Sequence, residues 1–136
     1  MKHRTQIRVR YAETDAQGIV HHAVYPVWFE EGRSDFLRKI GVAYSHWEHQ
    51  GYFVVVADLS IRYLKPALYE DQLTVVTSIK RFKKRLMEFN YQVMDDSGAI
   101  ITHGSTRHLI MDKEGKPSAL TDSFYQQIKQ QVDAVV

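Results

Sequence analysis

The sequence predicts an α+β fold in which a curved antiparallel β-sheet wraps around one long central α-helix. Two observations lead to this prediction: one extended helical pattern follows the first strand, and four further strand patterns separated by turns follow that helix. A single helix cannot cover both faces of such a sheet, so it packs best inside the curve of the sheet. No linker or repeat interrupts the 136 residues, and we expect one domain spanning residues 1–136.

Alternation of apolar and polar side chains identifies the first strand, and helical spacing identifies the long helix. Residues Thr5–Tyr11 alternate with a period of two, as a half-buried strand does, and Ala12–Val20 is a connection. The helix is expected from Val24 to Ile40, because Pro26 suits a first turn whose N–H groups lack intrahelical partners. Gly32 lies inside this helix at a cost of about 1 kcal/mol relative to alanine. Close approach of another backbone would explain it.

Four further strands and two shorter helices complete the predicted fold. The odd-numbered residues of the second strand are all apolar, which predicts that they share one face. The exposed sheet face and edge favour a partner subunit. The expected strands are Phe53–Tyr63, Gln72–Lys84, Leu86–Asp95 and Ala99–Met111; the expected helices are a short turn within Tyr44–Gly51 and a final helix capped by Thr121 or Asp122 that ends near Val132.

Composition excludes several classes of protein. Hydrophobic residues make up 44% of the chain, which is enough for a core, and the absence of cysteine excludes disulfides, thiolate nucleophiles and cysteine-based zinc sites. A net charge of +2 does not indicate nucleic-acid binding. No apolar run is long enough to span a membrane, and the polar N-terminus has no signal-peptide pattern. We expect a cytoplasmic protein without a membrane or nucleic-acid partner.

The segment from Tyr11 to Tyr25 carries the pattern that points to chemistry. Asp15 lies in a glycine-containing turn, and His22 follows seven residues later, where the long helix should begin. A helix N-terminus presents unpaired N–H groups and partial positive charge. A carboxylate directed at the same point suits attack on a carbonyl and stabilisation of the resulting oxyanion. Taken alone, however, Asp15 also suits an ordinary turn, because aspartate commonly bonds to the backbone of such turns.

The spacing Tyr-x-x-x-Asp-x-x-Gly-x-Val-x-His-x-x-Tyr in this segment resembles the 4-hydroxybenzoyl-CoA thioesterase family of the hotdog fold. A weaker second resemblance covers Tyr63–Ala67, Tyr69–Asp71 and Leu73. The resemblance implies hydrolysis of an acyl-CoA, with coenzyme A as part of the substrate and no cofactor. It also implies a homodimer or a homotetramer, with active sites at the subunit interface.

The resemblance implies roles for individual residues. Asp15 matches the catalytic carboxylate, and His22 matches an assisting histidine whose backbone N–H holds the thioester carbonyl. Tyr25 completes the catalytic set, although a buried core tyrosine is about as common an interpretation. Glu30 or Glu31 would replace Asp15 if the carboxylate lay on the helix instead. The residues expected to contact substrate around this set are Tyr11, Gly18, Ile19, Val20 and Ala23, with Val24 as a further backbone donor.

Neighbouring polar residues receive plainer interpretations. Tyr11 more often belongs to a core, Glu13 is expected in solvent, and His21 is expected to point away from the site. Histidines such as His46 and His49 show no recognised metal-binding pattern, so we expect no metal.

A basic run, Lys80–Arg85, lies at the junction of two strands. Its simplest interpretation is a charged, solvated edge. The resemblance favours phosphate binding, with Lys83, Lys84 and Arg85 contacting the phosphates of coenzyme A. Three other functions compete: an acyl carrier protein could replace coenzyme A as the thiol carrier, the protein could be a dehydratase of the same fold, or it could bind acyl-CoA without catalysis. The spacing of acid, turn and glycine argues against a dehydratase, and the presence of Asp15 and His22 argues against a non-catalytic protein.

Overall fold

The computed structural model describes residues 2–134 and contains the expected order of elements. One long helix follows the first strand, and four antiparallel strands follow that helix, which confirms the predicted α+β class. The strands are β1 (Lys2–Arg8), β2 (Phe53–Tyr63), β3 (Gln72–Phe82), β4 (Leu86–Met94) and β5 (Ile100–Met111); the helices are α1 (Tyr25–Lys39), α2 (Tyr44–His49) and α3 (Asp122–Ala134). Two short 3₁₀ helices, Tyr11–Glu13 and His22–Val24, precede α1.

The five strands form one sheet in the order β1-β3-β4-β5-β2, and all neighbouring strands are antiparallel. Helix α1 packs on the inner face of this sheet with its aromatic side chains fully buried. Phe29 stacks on Tyr91 of β4 with ring centroids 4.3 Å apart. The core therefore lies between α1 and the curved sheet, as predicted. None of the described helices is long and apolar enough to cross a bilayer.

The first strand ends earlier than predicted. β1 stops at Arg8, and Tyr11 lies in a 3₁₀ helix with 76% of its surface exposed, so the prediction of Tyr11 as a strand and core residue is wrong. Glu13 stabilises the bend, because its carboxylate accepts a hydrogen bond of 2.8 Å from the backbone N–H of Arg10. Capping of this kind turns the chain toward α1.

Gly32 is needed for close packing, although its neighbours are side chains rather than the predicted backbone. A Cβ atom at Gly32 would lie 2.6 Å from Thr77 Oγ1 and 2.9 Å from Val75 Cγ1, both on β3. Only a glycine lets α1 approach β3 this closely.

A β-bulge in β2 divides its apolar residues between the two faces of the sheet. The register shifts between Val56 and Asp58, so Val55 pairs with Leu109 and Leu59 pairs with Thr106. Residues on either side of the bulge therefore do not share the predicted single face. β2 is also an edge strand, and its large exposed apolar side chains are Phe53, Val55, Val56, Leu59 and Tyr63.

Candidate functional site

The Asp15 carboxylate is positioned by a tight turn between β1 and α1. The Asp15 N–H donates to the Ile19 carbonyl at 2.9 Å, and the Gly18 N–H donates to the Asp15 carbonyl at 3.0 Å. Gly18 has a φ of 81°, which a residue with a side chain rarely adopts. Oδ1 of Asp15 accepts from the Gln17 N–H at 2.9 Å, whereas no hydrogen bond within residues 2–134 occupies Oδ2. One carboxylate oxygen therefore holds the turn, and the other is available.

The short 3₁₀ helix before α1 leaves one backbone donor open. His21 Nδ1 accepts from the Ala23 N–H at 3.1 Å, and the His21 carbonyl accepts from the Val24 N–H at 3.0 Å. Both expected neighbouring donors are therefore already bonded. Within the described chain, the N–H of His22 has no acceptor, which makes it the free donor of this turn. His21 was expected to point elsewhere but caps the turn, and its ring stacks on that of His22 at 4.4 Å.

A cavity of about 360 Å³ brings five of the predicted residues together, the whole catalytic set among them, whereas Gly18 and Ala23 do not line it. It lies between the Asp15 turn, the start of α1 and the end of β2. The residues of its walls include an acid, a histidine whose backbone N–H has no acceptor in the described chain, and apolar side chains, a combination typical of a small-molecule site. The residues that line it include Asp15, Ile19, Val20, His22, Tyr25, Tyr63 and Lys65.

Two tyrosines form one wall of this cavity. Tyr25 is 2% exposed, and burial raises the pKa of its hydroxyl, so it remains a neutral phenol. Tyr63 packs edge-on against Tyr25 with centroids 5.2 Å apart, and its hydroxyl donates to the His22 carbonyl at 2.7 Å. Tyr63 therefore fixes the turn that presents the His22 N–H. The sequence interpretation gave Tyr63 no role, although the second recurring segment begins with this residue.

Other predicted residues lie outside the cavity. Tyr11 contacts Tyr69 at the surface, with ring centroids 5.5 Å apart. Glu30 and Glu31 are exposed on α1 and line no part of it. The expectation that Glu13 is solvated is wrong, because it is 6% exposed and its carboxylate accepts from Trp28 Nε1 at 3.0 Å. Glu13 therefore ties the loop before the site to α1.

The basic residues lie at the opposite end of the sheet from Asp15. The Val20 N–H bonds to the Ala67 carbonyl shortly before β3 begins, whereas Lys83–Arg85 follows the last residue of β3. The eleven residues of β3 span roughly 33 Å at 3.3 Å per residue. Lys84 also pairs with Asp122 at the start of α3. Within one copy of the chain, this run and Asp15 do not share a site.

A scan against protein-family models identifies the relatives of this chain. The model of the thioesterase superfamily matches residues 17–102. This range contains α1, α2, β2, β3, β4 and the first three residues of β5. The chain belongs to the thioesterase superfamily. Its hotdog fold and its class, a thioester hydrolase, agree with the predictions from sequence.

Individual relatives agree with this assignment. The chain is 36% identical to YneP of Bacillus subtilis, which is named as an acyl-CoA thioesterase, over 88% of this chain and 87% of YneP. It is 27% identical to the acyl-CoA thioester hydrolase YbgC of Escherichia coli O6:H1, over 93% and 96% of the two chains. Among solved structures, a DHNA-CoA thioesterase from Staphylococcus aureus superposes with a TM-score of 0.90 at 30% identity, covering 98% of this chain and 90% of that one.

Proposed function

We propose that this thioester hydrolase cleaves an acyl-CoA to a free acid and coenzyme A in the cavity of Asp15. The observation that carries this proposal is that Asp15, with one carboxylate oxygen unbonded, and His22, whose N–H has no acceptor in the described chain, line the same cavity. The names of its relatives YneP and YbgC support coenzyme A as the thiol carrier. The narrower resemblance to 4-hydroxybenzoyl-CoA thioesterases remains a prediction, as do a cytoplasmic location, the absence of a bound metal and a single domain over residues 1–136.

In this mechanism the His22 N–H donates to the thioester oxygen and stabilises the negative charge that develops on it. Loss of one such donor typically lowers the rate by about 10²–10³. Asp15 removes a proton from water, which attacks the carbonyl carbon and expels the thiolate. In the other route Asp15 itself attacks, the thiolate leaves, and water hydrolyses the resulting anhydride. The His22 imidazole assists the carboxylate, and the buried Tyr25 ring supports the wall against which the substrate lies.

The exposed edge of β2 supports a dimer as the active form. Of the two sheet edges, β1 presents Lys2, Arg4 and Arg8 to solvent, whereas β2 presents the apolar side chains described above. Charged edges oppose pairing with another chain, and apolar edges favour it. Two copies related by a twofold axis pair an edge strand with itself in antiparallel orientation. We therefore propose a homodimer through β2, with a tetramer of two such dimers as a further assembly.

Antiparallel pairing of β2 also explains the position of the basic run. In one copy, Tyr63 lines the Asp15 cavity, and the opposite end of β2 lies near the basic run, because Val55 and Leu86 both pair with Leu109. The twofold axis places the start of one β2 beside the end of the other. The basic run of one copy then lies at the same end of the assembly as Asp15 of the other, where the phosphates of coenzyme A would extend from the cavity.

Substitution of Asp15 by asparagine tests the catalytic proposal. Asp15→Asn retains the Oδ1 acceptor that holds the turn, so the fold should persist while hydrolysis of an acyl-CoA falls by at least about 10²-fold. Asp112→Asn is a matched control, because Asp112 Oδ1 accepts from the Glu114 N–H at 2.9 Å in an equivalent turn away from the cavity. Assays would follow release of free thiol across short, long and aromatic acyl-CoAs. Wild-type rates in Asp15→Asn protein would refute the assignment.

Replacement of Lys83, Lys84 and Arg85 by alanine tests the phosphate proposal. The KM for an acyl-CoA should rise well above that of wild type, whereas the KM for the same acyl group on pantetheine, which lacks the nucleotide phosphates, should change little. Equal increases for the two substrates would show that the run does not bind phosphate. The same assays with acyl carrier protein as the thiol carrier, and ligand binding without turnover, separate the remaining alternatives.

A further inference from the structure

A buried positive charge lies at the middle of α1, away from the Asp15 cavity. Arg33 is 8% exposed, and its Nε donates to the Tyr44 hydroxyl at 3.2 Å. No carboxylate of the described residues forms an ion pair with its guanidinium. Arginine stays protonated in proteins, and buried charges in stable folds are normally paired. Arg33 is therefore a buried positive charge without the anionic partner that such charges normally have.

The polar groups around Arg33 are neutral and do not supply that anion. Burial raises the pKa of Tyr44 to about 12, although the positive charge of Arg33 acts to lower it. The Tyr44 hydroxyl therefore remains protonated. On the sheet beneath α1, Tyr91 and Thr106 share a hydrogen bond of 2.7 Å, and His108 Nε2 lies 2.8 Å from the same Thr106 oxygen. Burial and the charge of Arg33 lower the pKa of His108 to about 4, so the imidazole is neutral as well.

Arg33 borders a separate cavity of about 300 Å³ between α1, α2 and the start of β2. Glu30 and Glu48 also border this cavity, but both are exposed to solvent and neither is paired with Arg33. The remaining walls are largely aromatic and apolar, so Arg33 is the buried charged residue among those that border the cavity. These walls include Tyr44, Trp47, Tyr52, Phe53 and Val54.

The Arg33 cavity and the Asp15 cavity lie at opposite ends of β2 in one copy, because Phe53 borders the first and Tyr63 the second. In the proposed dimer, antiparallel pairing of β2 with its copy brings the Arg33 cavity of one subunit to the end occupied by the Asp15 cavity of the other. An acyl group held at Asp15 would then extend toward the guanidinium of the second subunit.

On the basis of the proposed function, we propose that the Arg33 cavity binds the far end of the acyl group and selects a terminal carboxylate. A guanidinium binds a carboxylate through two parallel charge-assisted hydrogen bonds. The substrate class is therefore the coenzyme A monothioester of a dicarboxylic acid, and Arg33 is the specificity-determining residue. The protein hydrolyses the thioester bond of this substrate at Asp15, by the mechanism described above.

Matched substrates test this selection. Succinyl-, glutaryl- and adipyl-CoA would be compared with butyryl-, valeryl- and hexanoyl-CoA of the same carbon number. In wild-type protein at least one carboxylated member should exceed its apolar partner about tenfold in kcat/KM, and Arg33→Met should abolish that ratio while hydrolysis of the apolar partner persists. Arg33→Lys should retain part of the ratio. Arg38→Met, which removes an exposed charge from the same helix, should leave it unchanged.

Mixed dimers test whether the two residues act across the interface. Asp15→Asn and Arg33→Met chains would be refolded together, so that about a quarter of all sites combine an intact Asp15 with an intact Arg33 from the other chain. Hydrolysis of the preferred dicarboxylic thioester should reappear in the mixture. No recovery would overturn the inference, as would wild-type protein that favours no carboxylated substrate while it hydrolyses the apolar ones. Hydrolysis of long or aromatic acyl-CoAs but of none of the six thioesters would also overturn this inference, whereas hydrolysis of no acyl-CoA at all would instead refute the proposed function.

Discussion

The buried imidazole of His108 should make the fold less stable as the pH falls from 7 to 4. His108 is fully buried, and burial, followed by the charge of Arg33, lowers its pKa from 6.5 to about 4. The unfolded chain binds a proton at this residue near pH 6.5, whereas the folded chain does not until about pH 4. Between these values the unfolded state holds more protons, so the contribution of His108 is complete above pH 6.5 and is lost as the pH falls toward 4.

The size of this effect follows from the two pKa values. A shift from 6.5 to about 4 corresponds to about 3 kcal/mol at 1.36 kcal/mol per pKa unit. Urea unfolding at several pH values between 7 and 4 would measure the free energy of unfolding in wild-type and His108→Gln protein. Wild type should lose about 3 kcal/mol more than the variant over this range. His103→Gln, an exposed change on the same strand, should follow the wild-type profile.

The test compares how steeply the free energy of unfolding changes with pH in the two proteins. A variant that is less stable at every pH therefore still gives a clear answer. Parallel loss of stability in wild-type and His108→Gln protein would show that the imidazole does not resist protonation in the folded state. The reasoning about the neutral surroundings of Arg33 would then fail as well, because a protonated His108 would add a second buried positive charge beside it.

Two further substitutions test how the site is supported. Gly32→Ala should destabilise the fold by about 1–3 kcal/mol in urea unfolding, because its Cβ would lie 2.6 Å from Thr77 Oγ1, although alanine favours helix. Ser34→Ala on the same helix is the control, and a stabilised Gly32→Ala protein would contradict this packing. Glu13→Gln should cost about 1–3 kcal/mol and change the fluorescence of Trp28, since one amide oxygen cannot serve all the donors of the carboxylate. Unaltered stability, compared with exposed Glu31→Gln, would refute this role.

Local periodicity was sufficient to predict the long helix and the strands. It did not predict where contacts with distant residues end a strand early or shift its register. The long helix and the four later strands appear within a few residues of their predicted bounds, because their patterns depend on neighbouring residues. The early end of β1 depends on Glu13, whose carboxylate bonds Trp28 fifteen residues away. The bulge in β2 reverses the alternation after Val56, and nothing in an uninterrupted apolar strand pattern signals it.

The candidate site divides in the same way. The spacing from Asp15 to His22 and Tyr25 predicted three residues that the structure brings to one cavity. The sequence could not predict which backbone N–H groups before α1 are free and which are bonded. That depends on the orientation of the His21 ring, whose Nδ1 accepts from the Ala23 N–H. Arg33 was missed for another reason. Charged helical residues are usually solvated, yet Arg33 lies four residues after Phe29 and four before Leu37, on the buried stripe of α1.

The hydrogen bond within the Asp15 turn is not what distinguishes the site, because the part of the chain that the structure describes contains this bond in three turns. Asp15, Asp95 and Asp112 each accept a hydrogen bond of 2.9 Å at Oδ1 from the N–H two residues on, and a glycine with positive φ follows each at the third position. In all three the carboxylate has a structural task. Asp15 differs in what surrounds it: the start of α1, the His22 N–H and the Tyr25 ring. Any loss of activity in Asp15→Asn that exceeds the loss in Asp112→Asn therefore measures the chemistry of the cavity rather than the geometry of the turn.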